Sequence, residues 1–230
     1  MRQETTSAET RFTSPWWVIA ILALSFTGLA LWTAGGNTLT LDLQVSESFQ
    51  GFDQSWARFL GWIGDHLGGT KTGLSCLAIG FIAAIVLRSE RDAWFLGVAA
   101  VLRLLATNLK AIFDSPRPSL AQVEQSSVFD STGFPSGHAT TATLVLGTLA
   151  FMVARRTLSR WVRVLLLALW VIGVAATGFA RIWHGAHWFT DTLGGATVGL
   201  VIVLVSANLS ATITDVRSSA QRRRRTRTPT

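Results

Sequence analysis

The sequence predicts an all-α integral membrane protein, a bundle of six transmembrane helices. Three observations predict it. Hydrophobic residues fill 49% of the 230 positions and charged residues only 14%, a balance foreign to soluble globular chains. Several apolar runs reach the roughly 20 residues that a helical span needs. Cations then crowd alternate connections, as a multi-pass topology requires. In hydrocarbon every backbone N–H and C=O must be satisfied within the segment, so helices are the economical solution for this pattern.

Residues 1–14 are polar and form an N-terminal tail. The first apolar run, 15–34, opens with Trp16 and Trp17 and closes near Trp32. It is long for the core of a signal peptide and no small-residue cleavage site follows, so it is a retained span. Segment 35–69 differs. Val45, Phe49, Phe52, Trp56, Phe59, Leu60 and Ile63 recur at three- and four-residue steps, with Asp53, Gln54, Arg58 and Asp65 between them. That pattern predicts an amphipathic helix too polar to span, lying in the headgroup plane or across the tops of the spans.

The second span covers 72–87, and Arg88, Glu90, Arg91 and Asp92 form a charged turn after it. The third covers 93–113, with Arg103 near its middle. An ionisable residue at that depth is costly and faces the bundle interior. Lys110, two turns further on, is expected on the same face. A polar loop with Pro116 and Pro118 runs over 114–134, a length at which loops commonly carry function. The fourth span is 136–154, followed by a turn with Arg155, Arg156, Arg160 and Arg163. The fifth is 162–180 and the sixth 187–209. Residues 1–14, 15–209 and 210–230 therefore divide the chain into a tail, one membrane domain and a basic tail expected to be disordered. Arg222 to Arg225 and Arg227 suit anionic lipid headgroups better than nucleic acid. The lone Cys76 excludes an intrachain disulfide.

With the N-terminus inside, the inner segments hold 14 of the 20 basic residues, as the positive-inside rule asks. Three polar clusters then share the outer side. The first is Lys110 with Arg117 and Pro118, the second Pro135-Ser136-Gly137-His138, the third Arg181, His187 and Asp191. On a helix, His187 and Asp191 share one face, where the carboxylate fixes the imidazole tautomer and leaves the far nitrogen its lone pair. Lys110, Arg117 and Arg181 suit phosphate oxygens. Ser136 and Gly137 open a helix whose N–H groups can face an anion, and His138 is the candidate general acid. Three cations can supply the charge stabilisation that Mg²⁺ gives elsewhere, so no metal or cofactor is expected. Plainer readings exist. Lys110 and Asp114 can form a helical ion pair. Trp183 and Trp188 fit interfacial anchors. His184, His187 and Asp191 have a spacing that can hold a metal, though a zinc site has no use for three neighbouring cations.

Taken together, Lys110-x6-Arg117-Pro118, Pro135-Ser136-Gly137-His138 and Arg181-x5-His187-x3-Asp191 resemble the three-part signature of the type 2 phosphatidic acid phosphatases, whose fold and site are shared with vanadium-dependent haloperoxidases. Three motifs in order are far more specific than one. The resemblance implies metal-independent dephosphorylation of a lipid phosphate. It implies His187 as the nucleophile that becomes phosphohistidine, Asp191 behind it, and His138 as acid and then base. Lys110, Arg117, Ser136, Gly137 and Arg181 fall on the phosphate. The third motif often begins Ser-Arg in the family; here it is Ala180-Arg181. The expectation is a lipid phosphatase of the cell membrane with its site outside, acting on phosphatidic acid, phosphatidylglycerophosphate or a polyprenyl diphosphate. A lipid phosphotransferase and a non-catalytic lipid-phosphate transporter are the alternatives, and an oriented His187 argues against the transporter.

Overall fold

The computed structural model describes residues 13–52, 54–129, 131–157 and 159–225, with side chains as far as Gln221. Most of the N-terminal tail, Asp53 and Arg227 lie outside the described residues, as do the side chains of Arg222 to Arg225. The described chain is helical and carries no strand. In order the helices are α1 (Trp16–Ala34), α2 (Thr40–Gln50), α3 (Ser55–Gly68), α4 (Thr70–Val86), α5 (Glu90–Ala106), α6 (Leu109–Phe113), α7 (Gly137–Ala154), α8 (Arg160–Trp183) and α9 (Phe189–Arg225).

Five stretches are long and apolar enough to cross a bilayer: α1, α5 with α6, α7, α8 and α9. The sixth is broken. Helices α3 and α4 meet at 51° across Gly69 and pass the same test only as a pair. Gly69 leaves the helical region at φ −57°, ψ 127°, and α4 alone has 17 residues, about 25 Å of rise. The amphipathic segment is thus two helices, and the second leans into the bundle. Two further boundaries differ from expectation. The third span breaks at Thr107 and Asn108 before the short α6. The last helix runs to Arg225, where a disordered tail was expected from 210. Thr212 and Thr214 return their hydroxyls to the carbonyls of Asn208 and Ser210, and Arg217 pairs with Glu90 at 2.5 Å over the Trp94 ring. The Arg217 contacts tie the polar end of α9 back to α5.

Small residues set the helix spacing, as membrane interiors favour. Gly64 faces the Ala176 carbonyl and Ala180 on α8, and Gly195 and Gly199 face Ser136, Ala139, Thr140 and Thr143 around the start of α7. Larger side chains (Leu77, Phe95, Leu96, Leu144, Val198 and Ile202 among them) fill the core between α4, α5, α7 and α9. Leu165, Leu167, Leu169 and Ile172 of α8 stay exposed, as a lipid-facing surface requires. Near the charged turns, Asp92 is buried between Arg155 and Arg156. Arg103, also buried, finds neutral partners: the Thr141 hydroxyl at 3.0 Å, that of Thr70 at 3.2 Å and the Gly137 carbonyl at 3.5 Å. It thereby pins the start of α7 to α4 and α5.

Candidate active site

The third motif folds around a reversal between α8 and α9. Gly185 takes φ +64°, a left-handed conformation that glycine adopts without penalty. The N–H groups of Ala186 and His187 both donate to the Arg181 carbonyl, at 3.0 and 3.2 Å. His187 therefore stands just before α9, not within a helix as its spacing suggested. What unites it with Asp191 is a cap. Asp191 is the third residue of α9 and reaches back, accepting the Trp188 N–H at 3.0 Å, one half of a capping box. The same oxygen, Oδ2, accepts from His187 Nδ1 at 3.2 Å. Asp191 and His187 are buried.

With Nδ1–H given to the carboxylate, the lone pair of His187 sits on Nε2. The Arg117 Nη1 lies 3.4 Å from that nitrogen. Burial, and then the charges of Arg117, Lys110, Arg181 and His138, push His187 well below the ordinary histidine value. The ring is neutral at neutral pH. Those four side chains also come from all three sequence clusters, so the clusters do converge on His187.

Two of the three cations are held by loop backbone. Arg117 donates to the Ser131 carbonyl at 2.5 Å, the Ser131 hydroxyl at 2.9 Å and the Ala186 carbonyl. Its guanidinium lies 5.0 Å from the centroid of Phe129, and burial with neighbouring Arg181 lowers its pKa. Lys110 Nζ donates to the Thr132 carbonyl at 2.9 Å, and the Thr132 hydroxyl returns a bond to the Lys110 carbonyl at 3.1 Å. The expected Lys110–Asp114 ion pair does not form; Asp114 turns left-handed at φ 41° and ends α6. Gly133 lets this strap pass closely. A side chain there would meet Asp191 Oδ2 at 2.8 Å and the Pro116 carbonyl at 3.2 Å.

Ser136 is buried and caps α7, its hydroxyl facing the Ala139 N–H at 3.4 Å. Its own N–H donates to the Asp191 carbonyl at 2.9 Å. That donor is taken up inside the protein, so an anion at this helix start meets the N–H groups of Gly137 and His138, which have no intrahelical partner. His138 is half-buried and packs against Gly68, where a side chain would meet its Cβ at 2.7 Å.

Arg181 is the site residue whose partner the sequence reading did not foresee. Its Nη1 lies 2.6 Å from Asp65 Oδ1, and His184 Nε2 lies 3.1 Å from Asp65 Oδ2. His184 thus faces α3, away from His187 and Asp191. No group of three His, Cys, Asp or Glu side chains among the described residues is placed to hold a metal. A second carboxylate from the amphipathic segment, Asp42 on α2, accepts the Thr190 N–H at 2.9 Å and its hydroxyl at 3.1 Å. Gln50 ties α2 to the loop by bonding both the N–H and the C=O of Glu124. Trp188 is buried rather than interfacial, while Trp183 Nε1 donates to the Phe52 carbonyl at 3.1 Å. Asp42 and Asp65 left one trace in the sequence, as carboxylates in a segment otherwise shaped to bury an apolar face.

These elements define a multi-pass helical membrane protein in which three cations, His138 and a buried His187–Asp191 pair converge. The comparisons with known proteins agree. The PAP2 superfamily model matches residues 92–215, and the chain belongs to that family, the type 2 phosphatidic acid phosphatases. It is 33% identical over 102 residues to phosphatidylglycerophosphatase B of Bacillus subtilis (strain 168). That alignment covers 44% of this chain and 48% of the relative, about half its length. Among solved structures, the transmembrane PAP2-type phosphatidylglycerolphosphate phosphatase of B. subtilis superposes with a TM-score of 0.70 at 25% identity, over 85% of this chain and 96% of that one. Aquifex aeolicus LpxE shares the fold, with a TM-score of 0.54 at 19% identity over 76% and 96% of the two chains.

Proposed function

We propose that the protein is a metal-independent lipid phosphate phosphatase working through a phosphohistidine. The observation that carries this is the His187 ring, neutral, with Nδ1 on Asp191 and Nε2 turned toward Arg117. In this reading Arg117 swings its N–H from the ring to a phosphate oxygen, and Lys110 and Arg181 take the others with the first N–H groups of α7. His187 Nε2 attacks phosphorus in line. The P–O bond to the leaving alcohol or phosphate breaks, and His138 gives that oxygen its proton. His138 then takes a proton from water, the hydroxide attacks phosphorus, the P–N bond breaks, and phosphate leaves. Ser136 supports the site as the cap of α7.

The substrate is a lipid phosphate presented at the outer surface. The names of the relatives put phosphatidylglycerophosphate first, with phosphatidic acid and a polyprenyl diphosphate beside it. Basic residues of the inner turns and the α9 tail face anionic lipids of the other leaflet.

The test is phosphate release from a panel of these lipids in detergent, with and without EDTA, for the wild type and His187→Ala. Release should survive EDTA and fall on the order of 10⁴-fold or more in the variant. Loss of release on EDTA would favour metal chemistry. Full cellular function of His187→Ala would favour a transporter, and phosphate appearing on an added alcohol would make the protein a phosphotransferase.

A further inference from the structure

We propose that Asp65 is a positioning residue for Arg181: it grips one edge of the guanidinium so that the opposite edge is presented to the phosphate. The inference rests on the phosphate-binding reading above and extends it to a helix outside the three motifs.

Three contacts carry it. The Asp65 carboxylate holds Arg181 through Nη1 alone, at 2.6 Å. Arg181 Nε is buried with no hydrogen-bond partner, and no described residue bonds Nη2. An arginine binds an oxyanion side-on through Nε and Nη2, or end-on through its two terminal nitrogens. With Nη1 occupied, the side-on edge is the one left open. A buried guanidinium N–H without an acceptor costs free energy, and an arriving phosphate oxygen removes that cost.

The grip is itself fixed. His184 engages the other carboxylate oxygen at 3.1 Å, so Asp65 cannot turn freely. Behind it, α3 lies directly on α8 because Gly61 and Gly64 bring no side chain to the contact; Gly64 abuts the Ala176 carbonyl and Ala180, one residue from Arg181. The face of the guanidinium lies 5.9 Å from the Phe129 ring that also carries Arg117. One ring therefore supports two cations through its π face. Asp65 supplies a negative charge beside Arg181, which offsets its repulsion from the other cations. Its side chain is 35% exposed, which suits a rim residue better than a reacting one.

A double-mutant cycle tests this. In the wild-type background, Asp65→Ala should lower kcat/KM about tenfold to a hundredfold, the loss expected when a positioned group drifts by an ångström. Asp65→Asn keeps an acceptor for Nη1 and should recover part of it. In an Arg181→Ala background, Asp65→Ala should cost less than about threefold, because its effect runs through Arg181. Equal losses in both backgrounds would reduce Asp65 to a residue of general stability and overturn the proposal. The same cycle is read independently as orthovanadate binding to the purified protein by calorimetry. Coupled losses of vanadate affinity in a protein that releases no phosphate from any lipid would uphold the role of Asp65 while ending the phosphatase reading. Additive losses, or no vanadate binding by the wild type, would end the proposal.

Discussion

His187 gives its two nitrogens to opposite tasks, and the pH dependence of the reaction follows from that division. Nδ1 is bound to a buried carboxylate and Nε2 faces Arg117. Because burial and neighbouring cations push His187 well below the usual histidine range, its neutral, nucleophilic form persists into acid. The sign is unambiguous: lowering the pKa of a group that must be deprotonated extends activity downward in pH. In the proposed mechanism the profile of kcat/KM should show an acid limb, set by His187, well below pH 6.5. An acid limb centred near 6.5 would mean that His187 is solvated, contrary to its burial. At this scale the convergence of the motif residues was legible because histidines, a carboxylate and cations are distinct chemical types at fixed spacing. Asp65 and Asp42 were not legible, since carboxylates on a half-polar helix are ordinary until their partners, 116 and 148 residues away, are known.

Among the elements, the helices present most of the site residues and the connections hold several of them in place. The strap 131–133 holds Arg117 and Lys110 through backbone carbonyls, and a carbonyl has no sequence signature. Hence the loop was recognisable as functional by its length while its grip was not. The α8–α9 reversal depends on Gly185, the left-handed residue of the turn. Gly185→Ala should destabilise the protein by about 1–2 kcal/mol from the backbone conformation alone, and more because its Cβ would strike the Glu124 carbonyl. Thermal unfolding in detergent reads the loss; an unchanged melting temperature would show that the turn can be rebuilt. The helix break at Thr107 escaped the sequence reading, and the boundary at Gly69 was read as the end of a surface segment rather than as a bend within one span. Hydropathy averages over a window and reports composition, whereas a 51° bend is set by one dihedral pair.

For the whole molecule, the distribution of cations predicts which face lies inside. Ser127 lies exposed on the site side and Arg160 exposed in the basic turn at the other end. In a Cys76→Ser background, Ser127→Cys should be labelled in intact cells by a membrane-impermeant thiol reagent, and Arg160→Cys only after lysis. The reverse pattern would place the site inside and contradict the positive-inside assignment. The six-span count was legible to the degree that apolar runs and charged turns alternate. The division of labour was less so. The 91 residues before Asp92 hold none of the three motifs, yet they contribute Asp42 and Asp65 to the third.

Asp42 meets Thr190 across 148 residues, and synthesis is directional. When α2 leaves the ribosome, the helix start that its carboxylate will cap has not been made. Until α9 is translated, the Asp42 carboxylate has only the start of its own helix to cap, the Leu39 N–H, and half of the His187–Asp191 pair is missing. The site can therefore be complete only late in synthesis, once one of the last helices made docks against one of the first.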